Sequence, residues 1–257
     1  MTKFGLYGLG GDMKSELDLQ NIPQHVAIVM DGNGRWAKKR LLPKSAGHKA
    51  GAQALRKLAA EAEKLGIKCL TVYAFSTENW SRPREEVDYL MGLLRDYIQQ
   101  YIDDKDKNEM RILVIGDRDR LDDDLIDKID FLENYTKNKK GMTVVIALNY
   151  GGRDELIRAV KKFGRELLRD TNPLKRINEL DEKELEKFLD TWELMPPDLV
   201  IRTSGEQRLS NFLLWQSAYS ELYFTDKLWP DFNIQDLKAA VAVYQQRERR
   251  YGGRNEV

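Results

Sequence analysis

HVAIVMDGNGRWAKKR (His25–Arg40) is the stretch from which the fold can be read. Its first six residues form a short apolar run bounded by Asp31-Gly32, the pattern of a buried strand cut off by a turn. Arg35–Arg40 can then begin a helix. A buried strand, a glycine turn and a helix make the opening unit of an α/β fold. Gly32 and Gly34 permit positive φ and close backbone approach. The helix start would point free N–H groups at an anion, and Arg35 would add a forked, charge-assisted pair. Asp31, at the strand tip, is a hard oxygen ligand suited to a Mg²⁺ ion shared with a diphosphate. The loop lacks the Lys-Ser/Thr pair of a Walker loop, and its glycine spacing is wrong for a dinucleotide fingerprint. The plainer alternative is an ordinary Asp-Gly turn.

The same alternation continues outward. Ala46–Leu65 has helical spacing, with Ser45 as a candidate cap and Gly66 as a stop. Ile67–Phe75 is rich in strand formers. Pro83 opens a helix over Arg84–Asp104, Arg111–Ile115 is a strand, and Asp122–Asn138 is an amphipathic helix. Met142–Leu148 is the next strand and Asp154–Arg169 the next helix. After Asn172-Pro173 come a helical piece at Glu182–Leu189, short strands at Leu199–Arg202 and Glu221–Phe224, and a last helix at Ile234–Arg250. Strands alternating with helices predict a mostly parallel sheet covered on both faces. Ligands in such sheets gather beyond the carboxyl ends of the strands. The loops to watch are therefore Asp31–Arg35, Ser76–Arg82, Asn149–Arg153 and Arg202–Ser210.

Each loop has a functional and a bland reading. Ser76, Thr77, Glu78, Asn79 and Arg82 offer groups for a diphosphate and a proton relay, and Trp80 with Phe75 suits a hydrocarbon. Alternatively, Ser81 or Asn79 caps the next helix and Trp80 packs. Arg202 and Arg208 can clamp one diphosphate between them, or lie in a solvated loop. Glu221 beside an apolar strand needs a partner, either a metal or an arginine. His48 lies near a helix start close to the first loop, whereas His25 reads as structural. The apolar face of Arg84–Asp104 and the strand Met142–Leu148 can line a hydrophobic tunnel or form plain core.

The whole chain sets the limits. It has 257 residues and 42% hydrophobic content, enough for one α/β domain with its own core. Its 42 basic and 42 acidic residues cancel, which argues against nucleic-acid binding through bulk charge. One cysteine, Cys69, excludes an internal disulfide and fits a cytoplasmic protein. Residues 1–20 read as a flexible arm, without the apolar core of a signal peptide, ahead of a single catalytic domain over 21–257. No apolar run is long enough to span a bilayer, so membrane contact would be peripheral.

The chain resembles the cis-prenyltransferase family in its bacterial, undecaprenyl diphosphate synthase form. Besides His25–Arg40, the matching segments are GHKAG (Gly47–Gly51), TVYAFSTENWSRP (Thr71–Pro83), NYGGR (Asn149–Arg153), DLVIRTSGEQRLSNFLLWQ (Asp198–Gln216), SELYFTDKLWPDF (Ser220–Phe232) and RERRYGG (Arg247–Gly253). They run in family order from about Ile22 to Gly253. The resemblance implies a six-stranded, mostly parallel sheet surrounded by helices, with a hydrophobic tunnel, acting as a homodimer. It implies repeated condensation of isopentenyl diphosphate onto farnesyl diphosphate with Mg²⁺, giving undecaprenyl diphosphate, the carrier-lipid precursor for cell-wall synthesis.

By the same resemblance, Gly32, Asn33, Gly34 and Arg35 hold the allylic diphosphate, with Trp36, Lys44 and His48 at its border. Lys44 stands where relatives commonly have arginine. Asp31 is the essential acid, and Asn79 the proposed proton acceptor. Ser76, Thr77, Glu78, Trp80 and Arg82 line the pocket, while Arg202, Arg208, Leu209 and Ser210 take isopentenyl diphosphate. Glu221 is the second Mg²⁺ ligand, Met142 and Val144 lie near the far end of the tunnel, and Arg250-Tyr251-Gly252 reaches towards a partner subunit. Two other readings compete. A haloacid-dehalogenase-type phosphatase needs a second Asp two residues on, where Asn33 stands. A silent scaffold subunit would lack the first-loop acid that this chain keeps.

Overall fold

The structure is a computed structural model, and it describes residues 17–104 and 109–247. Six strands form one sheet: β1 His25–Val29, β2 Cys69–Ser76, β3 Arg111–Ile115, β4 Thr143–Tyr150, β5 Leu199–Arg202 and β6 Glu221–Phe224. Their order is β3-β4-β2-β1-β5-β6, and every pairing is parallel. The helices are α1 Asn33–Lys39, α2 Lys44–Leu65, α3 Arg84–Asp103, α4 Asp123–Thr136, α5 Gly152–Leu167, α6 Pro173–Asn178, α7 Glu182–Glu186 and α8 Ile234–Gln245.

Strand β1 is buried along its whole length, and Val26, Ala27 and Ile28 expose nothing. Burying Val26 or Ile28 stabilises the fold by roughly 1.5–3 kcal/mol each, and the single methyl of Ala27 by less. Leu70, Val72 and Ile201 extend that core across the neighbouring strands. His25 is structural, as expected. It is the first residue of β1, and its ring meets Met195 O and Thr71 Oγ1 at 2.7 Å each.

The strand order decides where a ligand belongs. From β1 the chain runs to β2 on one side, and it later returns to β5 on the other. The crevice at the carboxyl ends of β1 and β5 is thus the topological switch point of the sheet. Asp31 follows one of these strands, and Arg202 ends the other.

Several expected boundaries shift for local reasons. Helix α2 starts at Lys44, with Pro43 rather than Ser45 at the N-cap position and no side-chain cap. Thr77–Ser81 forms a separate 3₁₀ turn, with Ser76 and Asn79 capping each other across it. Helix α5 begins at Gly152, two residues early. α6 was not foreseen; its start is capped by the Asn172 side chain. The last residues of the expected arm are held: Gln245 Nε2 donates to the carbonyls of Asp18 and Asn21. The rest of the arm, the end of the last predicted helix and Arg250-Tyr251-Gly252 lie outside the described residues.

Helices α1 and α2 cross at Gly47 and Gly51, one turn apart on α2. A Cβ on Gly47 would fall on the Asn33 carbonyl oxygen, and one on Gly51 on Asn33 Oδ1 and Trp229. A Cβ on Gly34 would meet nothing within 4 Å. Gly47→Ala should therefore lower the unfolding free energy by about 1–3 kcal/mol in chemical denaturation, whereas Gly34→Ala should not. Equal stability of the two variants would mean that the crossing is not tight.

Candidate active site

Gly32 turns the chain after β1 at φ 112°, with Leu228 packed where a side chain would be. Both facts demand glycine. Gly34 needs no such freedom, because it sits inside α1. No side chain caps α1, so its first-turn N–H groups stay available. Thr203 Oγ1 locks the turn, accepting the Asp31 N–H at 3.0 Å and donating to the Asp31 carbonyl at 2.6 Å.

Arg202 is the centre of the site. Its side chain is 5% exposed. It donates to Asp31 Oδ2 at 3.1 Å, to Ser210 Oγ at 2.7 Å and to the Arg208 carbonyl at 2.6 Å. Arg35 pairs with the other oxygen of Asp31 at 3.3 Å and donates to the Ser204 carbonyl at 2.9 Å. Glu206 bridges Arg35 and Arg208 at 3.2 and 2.5 Å. Arg202 Nε, Asn33 Oδ1 and Ser204 Oγ are buried in this region without a protein partner.

These groups border a cavity of about 860 Å³. It gathers Asp31, Gly32, Asn33, Gly34, Arg35, Lys44, His48, Ser76, Glu78, Asn79, Arg82, Arg202 and Ser210 from the predicted set. A second, largely apolar cavity of about 600 Å³ lies between α2, α3 and the sheet. Met30, Asn33, His48, Ala74 and Leu90 belong to the walls of both. Val144 lines the apolar cavity, but Met142 does not.

Other predicted residues stand apart from the polar cavity. Trp36 donates its indole N–H to Asp231 and carries the Arg40 guanidinium on its ring. Trp80 donates to Asn149 Oδ1 at 2.7 Å and packs edge-on to Phe75, its bland reading. Thr77 packs against Gly151, and Leu209 against the second hydrophobic cluster. Arg208 lies at the exposed rim on Glu206. Glu221 is not brought to Asp31 within this chain. It opens β6, opposite Leu199 at the amino end of β5, and pairs with Arg247 at 2.5 Å.

Glu86 was missed. Its carboxylate takes Lys44 at 3.0 Å and Arg82 at 3.1 Å, and lies 3.7 Å from His48. The only signal was its position four residues after Arg82. Burial would raise its pKa, but Lys44 and Arg82 outweigh that and hold it below the ordinary carboxylate range. Glu78 is likewise held low: hydrogen bonds from its own N–H, Asn211, Ser76 and Thr77 outweigh its partial burial. Asn79 uses its carboxamide oxygen to accept the Ser76 N–H at 3.2 Å.

The parallel α/β sheet thus places a charged cleft at its switch point and an apolar chamber behind it. Residues 29–252 match the prenyltransferase family model described as "Putative undecaprenyl diphosphate synthase". The isoprenyl transferase of Streptococcus thermophilus is 52% identical over 239 residues, 91% of this chain and 95% of that protein. The lavandulyl diphosphate synthase of Lavandula x intermedia, solved in complex with dimethylallyl diphosphate, superposes with a TM-score of 0.85 at 38% identity, covering 91% of this chain and 99% of that one. A probable undecaprenyl diphosphate synthase from Campylobacter jejuni gives 0.74 at 34%, covering 90% and 99%. The chain belongs to the undecaprenyl diphosphate synthase family of cis-prenyltransferases, and it is a prenyltransferase.

Burial lowers the His48 pKa below 6.5, against the pull of Glu86, while Arg82 and Lys44 lower it further. Removing the Glu86 charge takes away the main opposing influence. Glu86→Gln should therefore move the His48 titration to still lower pH in imidazole NMR, where the two histidines resolve easily. An unchanged or higher value would overturn this coupling.

Proposed function

We propose that this chain condenses isopentenyl diphosphate repeatedly onto farnesyl diphosphate, in cis geometry, to make undecaprenyl diphosphate for cell-wall synthesis. The observation that carries this reading is the wall shared by the polar and apolar cavities. A diphosphate in one can leave its prenyl chain in the other, which then serves as the tunnel. The lavender neighbour, solved with dimethylallyl diphosphate, supports an allylic diphosphate as a substrate.

The allylic diphosphate takes the α1 start, with Gly32, Asn33, Gly34 and Arg35 around it and Trp36, Lys44 and His48 at its border. Isopentenyl diphosphate takes Arg202, Arg208, Leu209 and Ser210. Ser76, Glu78 and Arg82 bound the space between, with Thr77 and Trp80 packed behind them. The allylic C–O bond breaks and the diphosphate leaves with the electron pair, which Arg35 helps to hold. The terminal alkene carbon of isopentenyl diphosphate bonds to the allylic carbon, and a proton then leaves the condensing unit for an oxygen of the departed diphosphate. The carboxamide oxygen of Asn79 is engaged by Ser76, so we assign Asn79 to orienting that proton's path rather than accepting it.

Asp31 is the residue suited to Mg²⁺. A lone carboxylate beside a diphosphate fits an ion that keeps most of its waters and takes its other ligands from phosphate. Bound there, Mg²⁺ would neutralise charge on the departing diphosphate. Glu221 is a ligand only if a second subunit supplies it. Ile157, Val160 and Trp192 are exposed apolar residues and leave surface for the homodimer. No described helix is long and apolar enough to cross a membrane, and we place the protein in the cytoplasm with peripheral membrane contact at product release.

Purified protein should transfer label from isopentenyl diphosphate into lipid only with farnesyl diphosphate and Mg²⁺ both present, and mass spectrometry should find eleven isoprene units, as the name of the product requires. Asp31→Ala should abolish turnover while circular dichroism stays native. Full activity in that variant would remove Asp31 from the mechanism.

A further inference from the structure

The turn between α1 and α2 reads Lys38-Lys39-Arg40-Leu41-Leu42-Pro43-Lys44. Leu41 is 96% exposed and Leu42 45%. Leu41 also takes a φ of 56°. That left-handed conformation is unfavourable for a bulky side chain, and glycine usually supplies it after a helix end. The turn is nevertheless fixed, because Leu41 N–H donates to the Lys38 carbonyl and Leu42 N–H to the Ala37 carbonyl, at 3.2 and 3.0 Å. The fold therefore holds two adjacent leucines out into water on a defined backbone, at a position where their side chains contribute little to its own core.

Four cations surround them. Arg40 pairs with Asp231 and lies on Trp36, and Lys44 pairs with Glu86. Lys38 and Lys39 are exposed and make no ion pair among the described residues. The turn leads directly into the part of α2 that serves both cavities: Lys44 and His48 border the polar one, and His48, Gly51 and Ala52 the apolar one.

We propose that this turn docks the protein on an anionic bilayer, with Leu41 and Leu42 entering the boundary between headgroups and acyl chains and Lys38 and Lys39 among lipid phosphates. An apolar tip with a basic collar has the chemistry of an interfacial anchor, in which neither contribution suffices alone. Two leucines are too small a patch for a stable protein interface. Together with unpaired lysines they fit a weak, reversible lipid contact, which a protein releasing a lipid can use. Only that purpose rests on the proposed product; the surface itself does not.

The test is flotation of the full chain with vesicles of phosphatidylcholine alone and with vesicles of phosphatidylcholine and phosphatidylglycerol in equal parts. The wild-type protein should float with the anionic vesicles only, and high salt should release it. Leu41→Gly with Leu42→Ser keeps the left-handed turn while removing the apolar tip. Lys38→Gln with Lys39→Gln removes the free charge. Each pair should weaken vesicle binding roughly tenfold with turnover in detergent solution unchanged. Wild-type protein that ignores anionic vesicles, or a leucine variant that binds them equally well, overturns the proposal. So does light scattering that shows self-association lost in the leucine variant, which would assign the turn to a second copy of the chain. Absence of wild-type turnover would instead count against the condensation reaction and leave the vesicle result standing.

Discussion

A guanidinium almost fully withdrawn from water holds this site together. Arg202 is the last residue of β5, in register with Val29 of β1. From there it reaches the Asp31 carboxylate on one side and the 208–210 segment on the other. Removing such a charge from water costs several kcal/mol unless good partners offset it. Its partners lie on two different loops, so the burial that makes Arg202 expensive also fixes the acid and the second loop relative to each other. The sheet makes this possible, since only at the switch point do two adjacent strands end with their following loops free to diverge.

The cleft is arranged for anions but is not simply positive. Carboxylates stand between the cations: Asp31 between Arg202 and Arg35, Glu206 between Arg35 and Arg208, Glu86 among Lys44, Arg82 and His48. This interleaving keeps like charges from repelling one another in a partly desolvated space. Backbone strain is concentrated in the same place, with Ser204, Ser210, Asn211 and Leu213 all at positive φ. Strained residues of this kind persist where the surrounding contacts over-determine them.

Much of this was legible in the sequence. The run ahead of Asp31-Gly32 gave the central strand because it is uninterruptedly apolar, and the loops after the strands held most of the cavity-lining residues. Two things were hidden. Glu86 lies on a helix face with an unremarkable ion-pair spacing, and only tertiary packing brings Lys44 and His48 to it. The mutual cap of Ser76 and Asn79 looks in sequence like any helix start. Glu221 was the reverse case: it precedes its strand, so the rule that ligands collect at carboxyl ends already argued against its meeting Asp31 within one chain. Trp80 went to packing because its indole N–H found Asn149.

The glycine crossing of α1 and α2 has a consequence for how this scaffold can diversify. The α2 side of the oily chamber is pinned at Gly51, whose Cβ position is already taken by Asn33 and Trp229. Across the chamber, α3 contributes Leu90, Leu94, Tyr97 and Ile98, none under that restriction. The α2 wall is thus closed to a larger residue at Gly51, whereas the α3 wall is written in side chains along its length. Descendants of this fold, natural or designed, can reshape the apolar chamber at Leu94, Tyr97 and Ile98 of α3 without touching the Gly51 crossing or the polar cavity.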